Sequence, residues 1–346
     1  MTEKRTEIEE LGEFKLIDLL TEPFVLQHDS SVLGVGDDAA IIDAGQHYTL
    51  VSTDFLLEGI HFDLTYCPLK HLGYKAVAVN VSDIAAMNGV PEQITVSIAL
   101  SNRFSLEALQ ELYAGIRLAC ESYKVDLVGG DTSSSTKGLV ISVTAVGKVA
   151  KDKVCQRKGV QPNDIICVTG DLGGAYLGLQ VLNREKQVFA ADASMQPDLA
   201  PYQYLVQRQL KPEARMDVVH AMRDMPLVPT AMIDLSDGLA SELFHLSRAS
   251  QVGVNIYEDK LPIDKLTYET AAAFNLDPVV CAMHGGEDYE LLFTIRPQDL
   301  KQVEKHPDIS LIGYATAAAH GLNLITDAGS AVPLSAQGWA HFGKGQ

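Results

Sequence analysis

The chain has few cysteines, and their spacing indicates neither a zinc site nor a disulfide framework. The five are scattered, at Cys67, Cys120, Cys155, Cys167 and Cys281. No C-x-x-C pair occurs, and the number is odd, so neither kind of cross-link is expected. The pattern predicts buried thiols in a reducing compartment, and therefore a cytoplasmic protein.

Basic residues and long apolar runs are also scarce. The chain has 27 Lys and Arg against 45 Asp and Glu, which gives a formal net charge of −18. This balance argues against binding to nucleic acid or to anionic lipid, because both need clustered Lys and Arg. No apolar run reaches the length of a membrane span, and no apolar signal segment follows the first residues. We expect no membrane or nucleic-acid partner.

The common fingerprints of nucleotide and hydrolase sites are missing. No G-x-G-x-x-G begins a dinucleotide-binding unit, and neither G-x-S-x-G nor H-E-x-x-H occurs. These absences argue against triad hydrolases and zinc enzymes. An acidic chain can still bind a polyphosphate when divalent cations bridge the two sets of negative charge.

Acidic clusters at the ends of apolar runs are what the chain has instead. The first is LGVGDDAA at residues 33–40, in which the adjacent carboxylates of Asp37 and Asp38 repel each other and need cations or donors nearby. The others are STD at 52–54, GGDT at 129–132 and IDLSDG at 233–238. One such cluster is ordinary as a solvated loop. Four of them indicate a common site.

Two of the acidic positions and one glycine loop have structural alternatives. Asp83 lies on an otherwise small, apolar helix face, where a carboxylate is paired, metal-bound or solvated at the rim. Ser236 or Asp237 could cap the helix that follows, which leaves Asp234 unexplained. The glycines at residues 170–174 could present backbone N–H groups to phosphate or form a tight turn.

Length and pattern predict two domains. A chain of 346 residues exceeds one small core, and the pattern restarts near Ala150, so we place the domains at 1–150 and 151–346. Strands and helices alternate in both, which predicts an α/β (α+β layered) class. Helices are expected at 13–20, 69–87 and 105–123. Strands are expected at 48–54, 92–100, 125–128, 139–149, 164–169, 231–235, 291–295 and 323–326. A polar insertion is expected at 184–200, before a helix ending near 210.

The oxygen-bearing residues of these clusters predict a magnesium site. Magnesium prefers carboxylate and water oxygens and usually couples a protein to substrate phosphates. The candidate ligands are Asp38, Ser52, Thr53, Asp54, Asp83, Asp131, Asp234 and Asp237. Magnesium-dependent phosphate chemistry is therefore the predicted class of reaction.

The ordered set of motifs resembles the thiamine-monophosphate kinase family. It spans roughly residues 12–342 and consists of GEF at 12–14, GVGDDA at 34–39, STD at 52–54, EGIHF at 58–62, NVSDIAAM at 80–87, GGDT at 129–132, IDLSDG at 233–238 and GGEDYEL at 285–291. Single motifs occur across a superfamily that includes aminoimidazole-ribonucleotide synthetase, but EGIHF, IDLSDG and GGEDYEL together are specific to the kinase.

The resemblance implies transfer of the ATP γ-phosphoryl group to thiamine monophosphate, the last step of thiamine diphosphate biosynthesis. The eight ligands above would hold several Mg²⁺ ions, with Asp38, Asp54, Asp83 and Asp131 catalytic through them. The predicted ATP contacts are Gly130, Asp131, Arg157 and Ser236, and the predicted thiamine contacts are His61, Glu287 and Trp339. The family fold has two domains like those of aminoimidazole-ribonucleotide synthetase, with N-terminal sheets paired in a homodimer.

Two other functions stay open. A sister enzyme of the superfamily would use ATP to activate another acceptor and would not turn over thiamine monophosphate. A non-catalytic protein would bind nucleotide or divalent cation without chemistry. ATP consumption that requires the acceptor distinguishes the kinase from both.

Overall fold

The computed structural model describes residues 11, 13–192, 194–225 and 227–335. Trp339, the predicted aromatic contact, lies outside the described residues. Within them, strands form two mixed sheets, one of six strands and one of seven, each covered by helices. This agrees with the predicted α/β layered class.

The first sheet is built from residues 31–149, in the order β1-β2-β3-β6-β4-β5. Its strands are β1 (Ser31–Leu33), β2 (Ala40–Asp43), β3 (Tyr48–Leu57), β4 (Val90–Leu100), β5 (Asp126–Ser134) and β6 (Val140–Val149). The edge strand β5 pairs parallel to β4, and the other pairings are antiparallel. Buried and half-exposed residues alternate along β4 and β6, so one face packs on helices and the other does not.

The helices of this half are α1 (Glu13–Thr21), α2 (Leu69–Ala86) and α3 (Leu106–Tyr123). The Ser105 hydroxyl accepts from the Ala108 N–H at 3.3 Å and so caps α3, as the sequence predicts. Helix α2 is buried on almost every side because it contacts α3 and strands of both sheets. It is therefore the element that carries polar side chains to the junction of the two sheets.

The second sheet runs in the order β13-β12-β9-β11-β7-β10-β8. Its strands are β7 (Ile165–Thr169), β8 (Ala231–Asp234), β9 (Val252–Tyr257), β10 (Leu291–Ile295), β11 (Ile309–Ala317), β12 (Leu322–Ile325) and β13 (Ala331–Pro333). The helices of this half are α4 (Gly174–Ala191), α5 (Gln203–Leu210), α6 (Met216–Asp224), α7 (Leu239–Ser250), α8 (Lys265–Ala273), α9 (Pro278–His284) and α10 (Leu300–Val303).

The structure corrects two predicted segments. Residues 184–191 belong to α4 and are not part of an insertion. The apolar pattern of α4 stops at Leu182, the last buried position, while exposed helix-forming side chains such as Lys186 and Gln187 continue the helix. The GGDT segment lies inside β5 and does not follow its end, since pairing with β4 extends to Ser134.

The described part of the chain contains no helix that is both long and apolar enough to cross a membrane. The cysteines are free thiols, and all but Cys120 are buried, as the scattered spacing predicts.

Candidate active site

A cleft of about 1150 Å³ opens where the two sheets meet around α2. Strand β3, helix α2 and the loop before β2 line it from the first half, and the segments that follow β8 and precede β10 line it from the second. The lining includes most of the predicted ligands, namely Asp38, Ser52, Thr53, Asp54, Asp83, Asp234 and Asp237.

Three carboxylates from distant parts of the sequence converge in this cleft. Asp38 follows β1, Asp83 lies near the end of α2, and Asp234 is the last residue of β8. One oxygen from each lies within 4.8 Å of the others. Asp38 and Asp234 are buried, and Asp83 is half-buried.

Neighbouring side chains orient these carboxylates. The Ser52 hydroxyl donates to Asp83 Oδ2, and the Ser82 hydroxyl donates to Asp234 Oδ2 at 2.6 Å. Asn80 Oδ1 accepts from the backbone N–H of Asp54 at 2.9 Å, which fixes that part of β3 against α2. Asn80 and Ser82, which are close to Asp83 on α2, therefore connect this helix to β3 of the first sheet and to β8 of the second.

The negative charge of these carboxylates is not fully neutralised by nearby cationic side chains. Burial raises the pKa of Asp83 well above its usual range, and repulsion from Asp54, Asp234 and Asp38 adds to the effect. Burial, with repulsion from Asp38, raises the pKa of Asp234 to about 7, and burial alone raises that of Asp54 to about 6. Ionisation of these clustered carboxylates therefore costs free energy, and a cation bound among them would stabilise the ionised form.

Arg157 supplies part of the missing charge. Its Nη2 lies 2.7 Å from Asp38 Oδ1, and its backbone N–H donates to Asp37 Oδ1 at 3.2 Å. These are the donors that the adjacent pair of aspartates requires. Asp38 Oδ2 is nevertheless buried and accepts no hydrogen bond from the described residues. An orphaned carboxylate oxygen beside two more carboxylates fits a hard divalent cation.

The other predicted ligands differ in how they face the cleft. The Thr53 hydroxyl donates a hydrogen bond to the Val143 carbonyl of β6 at 3.1 Å. Its side chain therefore lies on the side of β3 opposite that of Ser52. Ser236 and Asp237 line the cleft. The capping alternative for that pair is wrong, because Gly238 is the N-cap of α7.

Gly130 and Asp131 do not line the cleft within one chain. Both are on the exposed edge strand β5, whose nine residues are all exposed. A Cβ at Gly130 would lie 1.8 Å from the Val96 carbonyl oxygen, so glycine is needed there for strand packing whatever else it contacts.

The glycine loop at 170–174 does not present the free donors that a phosphate site needs. The Asp288 carboxylate accepts from the backbone N–H groups of Gly173 and Ala175, at 2.7 and 3.2 Å. Burial raises the pKa of Asp288 to about 6. Asp288 therefore stabilises the start of α4.

His61 and Glu287 both line the cleft, and Glu287 brings in two residues that the sequence analysis missed. Lys75 Nζ lies 2.7 Å from Glu287 Oε1, and Gln209 Nε2 donates to Glu287 Oε2. The sequence does carry a signal for Lys75, because this lysine lies on the same face of the largely apolar helix α2 as Asp83.

Two family models match the chain. The AIR synthase related protein N-terminal domain matches residues 36–149, and the AIR synthase related protein C-terminal domain matches residues 161–322. The thiamine-monophosphate kinase of Bacillus subtilis is 33% identical over 338 residues, covering 96% of this chain and 100% of that protein. The chain belongs to the thiamine-monophosphate kinase family. The resemblance seen in the motifs is thereby confirmed.

Further members of the thiamine-monophosphate kinase family agree. The Aquifex aeolicus enzyme is 34% identical over 336 residues, which covers 97% of this chain and 99% of that enzyme. A solved structure described as AaThiL complexed with AMPPCP and TMP superimposes with a TM-score of 0.83 at 32% identity, covering 97% of this chain and 99% of that one. The predicted two-domain fold of this superfamily is therefore also confirmed.

Proposed function

We propose that this protein catalyses the ATP-dependent phosphorylation of thiamine monophosphate, giving thiamine diphosphate and ADP. The observation that carries the proposal is the convergence of Asp38, Asp83 and Asp234 in the cleft, in a chain that belongs to this kinase family. An analogue of ATP, AMPPCP, and TMP are both bound in the related AaThiL structure.

The reaction needs positioning and charge neutralisation more than proton transfer. The attacking oxygen belongs to a phosphate group, which is already anionic at neutral pH, so no general base is required. Magnesium bound by Asp38, Asp54, Asp83 and Asp234 would reduce the repulsion between the two phosphate-bearing substrates. Ser52 and Ser82 hold two of those carboxylates in place, and Arg157 neutralises part of the charge on Asp38. We propose direct transfer without a phosphorylated enzyme.

We assign the remaining contacts by their place in the cleft and by the family motifs. Ser236 and Arg157 would bind ATP, while His61 and Glu287 would bind the thiamine portion together with Trp339. Ser52, Thr53, Asp131 and Asp237 would complete the magnesium ligands. We also propose that residues 1–150 form the ATP-binding and dimerisation domain, residues 151–346 form the second domain, and the protein is cytoplasmic.

Gly130 and Asp131 would reach an active site through a homodimer. No strand of the described residues pairs with the outer edge of β5, and β5 exposes Leu127 and Val128, which favours pairing with another sheet. We propose that two N-terminal sheets pair and that Asp131 of one copy completes the cleft of the other.

Mixing two inactive variants tests this arrangement. Asp83→Asn and Asp131→Asn are each expected to be nearly inactive alone. After subunit exchange at equal amounts, half of the dimers are mixed and each has one intact site, so about a quarter of wild-type activity returns. No recovery in mixtures that form dimers, or a fully active Asp131→Asn homodimer, would contradict the shared site.

ATP consumption tests the choice of acceptor. We expect ADP release only when thiamine monophosphate is present, at a rate equal to its disappearance. ATP consumed with another acceptor but not with thiamine monophosphate would identify a sister synthetase. ATP bound but never consumed would indicate a nucleotide-binding protein without chemistry.

A further inference from the structure

The end of the cleft beyond the aspartates contains a buried ion pair between the two halves of the molecule. Lys75 is on α2, and its side chain is 3% exposed, whereas that of Glu287 is 28% exposed. Removing an ammonium from water is costly unless it is paired, and the 2.7 Å contact to Glu287 Oε1 provides the partner. The carboxylate remains accessible from the cleft.

Gln209 completes the support beneath the Glu287 carboxylate. Its side-chain Nε2 donates to Glu287 Oε2, and its backbone carbonyl accepts from Lys75 Nζ at 3.3 Å. Each oxygen of the carboxylate therefore has one donor from the protein. Gln209 also lines the cleft, and its Oε1 is buried with no hydrogen bond from the described residues. A ligand that brings a donor would satisfy that atom.

The backbone around Glu287 is held in an unusual conformation. Glu287 and Tyr289 have φ values of +59° and +51°, in the left-handed region that non-glycine residues seldom adopt. Their N–H groups donate to the carbonyls of Ser236 and Leu235 at 2.7 and 2.9 Å. The surrounding chain thus fixes where the carboxylate stands, as is common where a side chain must be placed for binding.

Helix α2 sets the distance between this carboxylate and the aspartate cluster. Lys75, Val79 and Asp83 all line the cleft, one turn of helix apart. Lys75 and Asp83 are eight positions apart, which corresponds to about 12 Å at the rise of an α-helix. The acceptor proposed above has its phosphate at one end and its cationic ring system towards the other, which matches these two ends.

We propose that Lys75 is a positioning residue that holds the Glu287 carboxylate against the cationic end of the acceptor, and that Gln209 supports the same carboxylate while its Oε1 accepts a hydrogen bond from a donor of the acceptor. This inference rests on the proposed function, because it takes thiamine monophosphate as the acceptor. Lys75 acts through Glu287 and does not contact the acceptor. Its loss frees the carboxylate to turn away, and affinity for the acceptor falls while the aspartate cluster remains intact.

Two single variants and one matched control test the inference first. Lys75→Met is expected to weaken calorimetric binding of thiamine monophosphate, and to raise its KM, by roughly tenfold, the scale of a lost charge-assisted hydrogen bond. The kcat and the KM for ATP should change less than about threefold, as expected for loss of uniform binding. Gln209→Leu should act in the same direction. Lys70→Met removes an exposed lysine of the same helix and should change nothing.

The double variant Lys75→Met/Glu287→Gln separates positioning from direct contact. Because Lys75 acts through Glu287, the double variant should bind the acceptor no more weakly than Glu287→Gln alone. Losses that add would place Lys75 on the acceptor itself. A lower Tm with unchanged acceptor binding would make the pair merely structural. Either result overturns the inference. The proposed function is not affected by these results as long as the wild-type protein phosphorylates thiamine monophosphate. Failure of the wild-type protein to bind thiamine monophosphate would overturn both.

Discussion

Asp83→Asn is expected to lower kcat by roughly 100- to 1,000-fold or more, the scale of losing a group that stabilises charge in the transition state. The variant keeps its shape, because an asparagine oxygen can still accept from the Ser52 hydroxyl. What it loses is one of the three converging carboxylates. Steady-state kinetics over a range of magnesium concentrations should also show a weaker magnesium dependence.

The same substitution is expected to raise stability when magnesium is chelated. Burial and repulsion from its neighbours raise the pKa of Asp83, so the folded protein binds more protons than the unfolded chain. Stability is therefore lost as the pH rises from the ordinary carboxyl pKa through the raised one. Asparagine removes that cost, so the Tm in EDTA at pH 8 should exceed that of wild type.

Asp152→Asn is the matched control, because it removes an exposed carboxylate outside the cleft. It should leave kcat, magnesium dependence and Tm unchanged. A fully active Asp83→Asn enzyme with wild-type magnesium dependence would contradict the metal assignment.

Gly115→Ala is expected to destabilise the fold by about 3 kcal/mol, in the upper range for overpacking. A Cβ at Gly115 would lie 1.9 Å from the Lys70 carbonyl oxygen, and one at Gly73 would lie 2.0 Å from the Leu112 carbonyl oxygen. Backbone meets backbone at this crossing of α2 and α3, so no side-chain rotation can relieve the contact. Displacement of α2 should also lower activity, because α2 carries Asp83. Urea denaturation and kcat measure the two effects.

Gly174→Ala is the control for the glycine change itself. A Cβ there meets nothing closer than the Arg208 Cγ at 3.4 Å, so alanine should be neutral or slightly stabilising through its helix propensity. Equal unfolding free energies for Gly115→Ala and Gly174→Ala would show that the close helix crossing does not limit stability.

Elements with a clear local pattern could be predicted from the sequence. Helix α2 begins at Leu69 as expected, and β10 has its predicted limits, Leu291–Ile295, because a short apolar run there is bounded by polar residues. Strands β9 and β11 were not predicted. Their sheet partners are distant in sequence, and pairing of that kind leaves little local signal.

The site shows the same division between local and distant information. Acidic residues after apolar runs predicted Asp38 and Asp234, and a carboxylate on an otherwise apolar helix face predicted Asp83. The structure brings these three together. The pairing of Lys75 with Glu287 joins positions 212 residues apart, and no local pattern specifies it. Asp131 resembles the other acidic positions in sequence but lies on an exposed edge strand. The local sequence could not show this, because the fold alone determines which strands face the cleft.

Product analysis tests the central claim most directly. Purified protein is incubated with ATP and thiamine monophosphate, with and without magnesium, and thiamine diphosphate and ADP are quantified. Equal amounts of both products with magnesium, and neither without it, are the predicted result. Recovery of both substrates unchanged from folded protein in the presence of magnesium would contradict it.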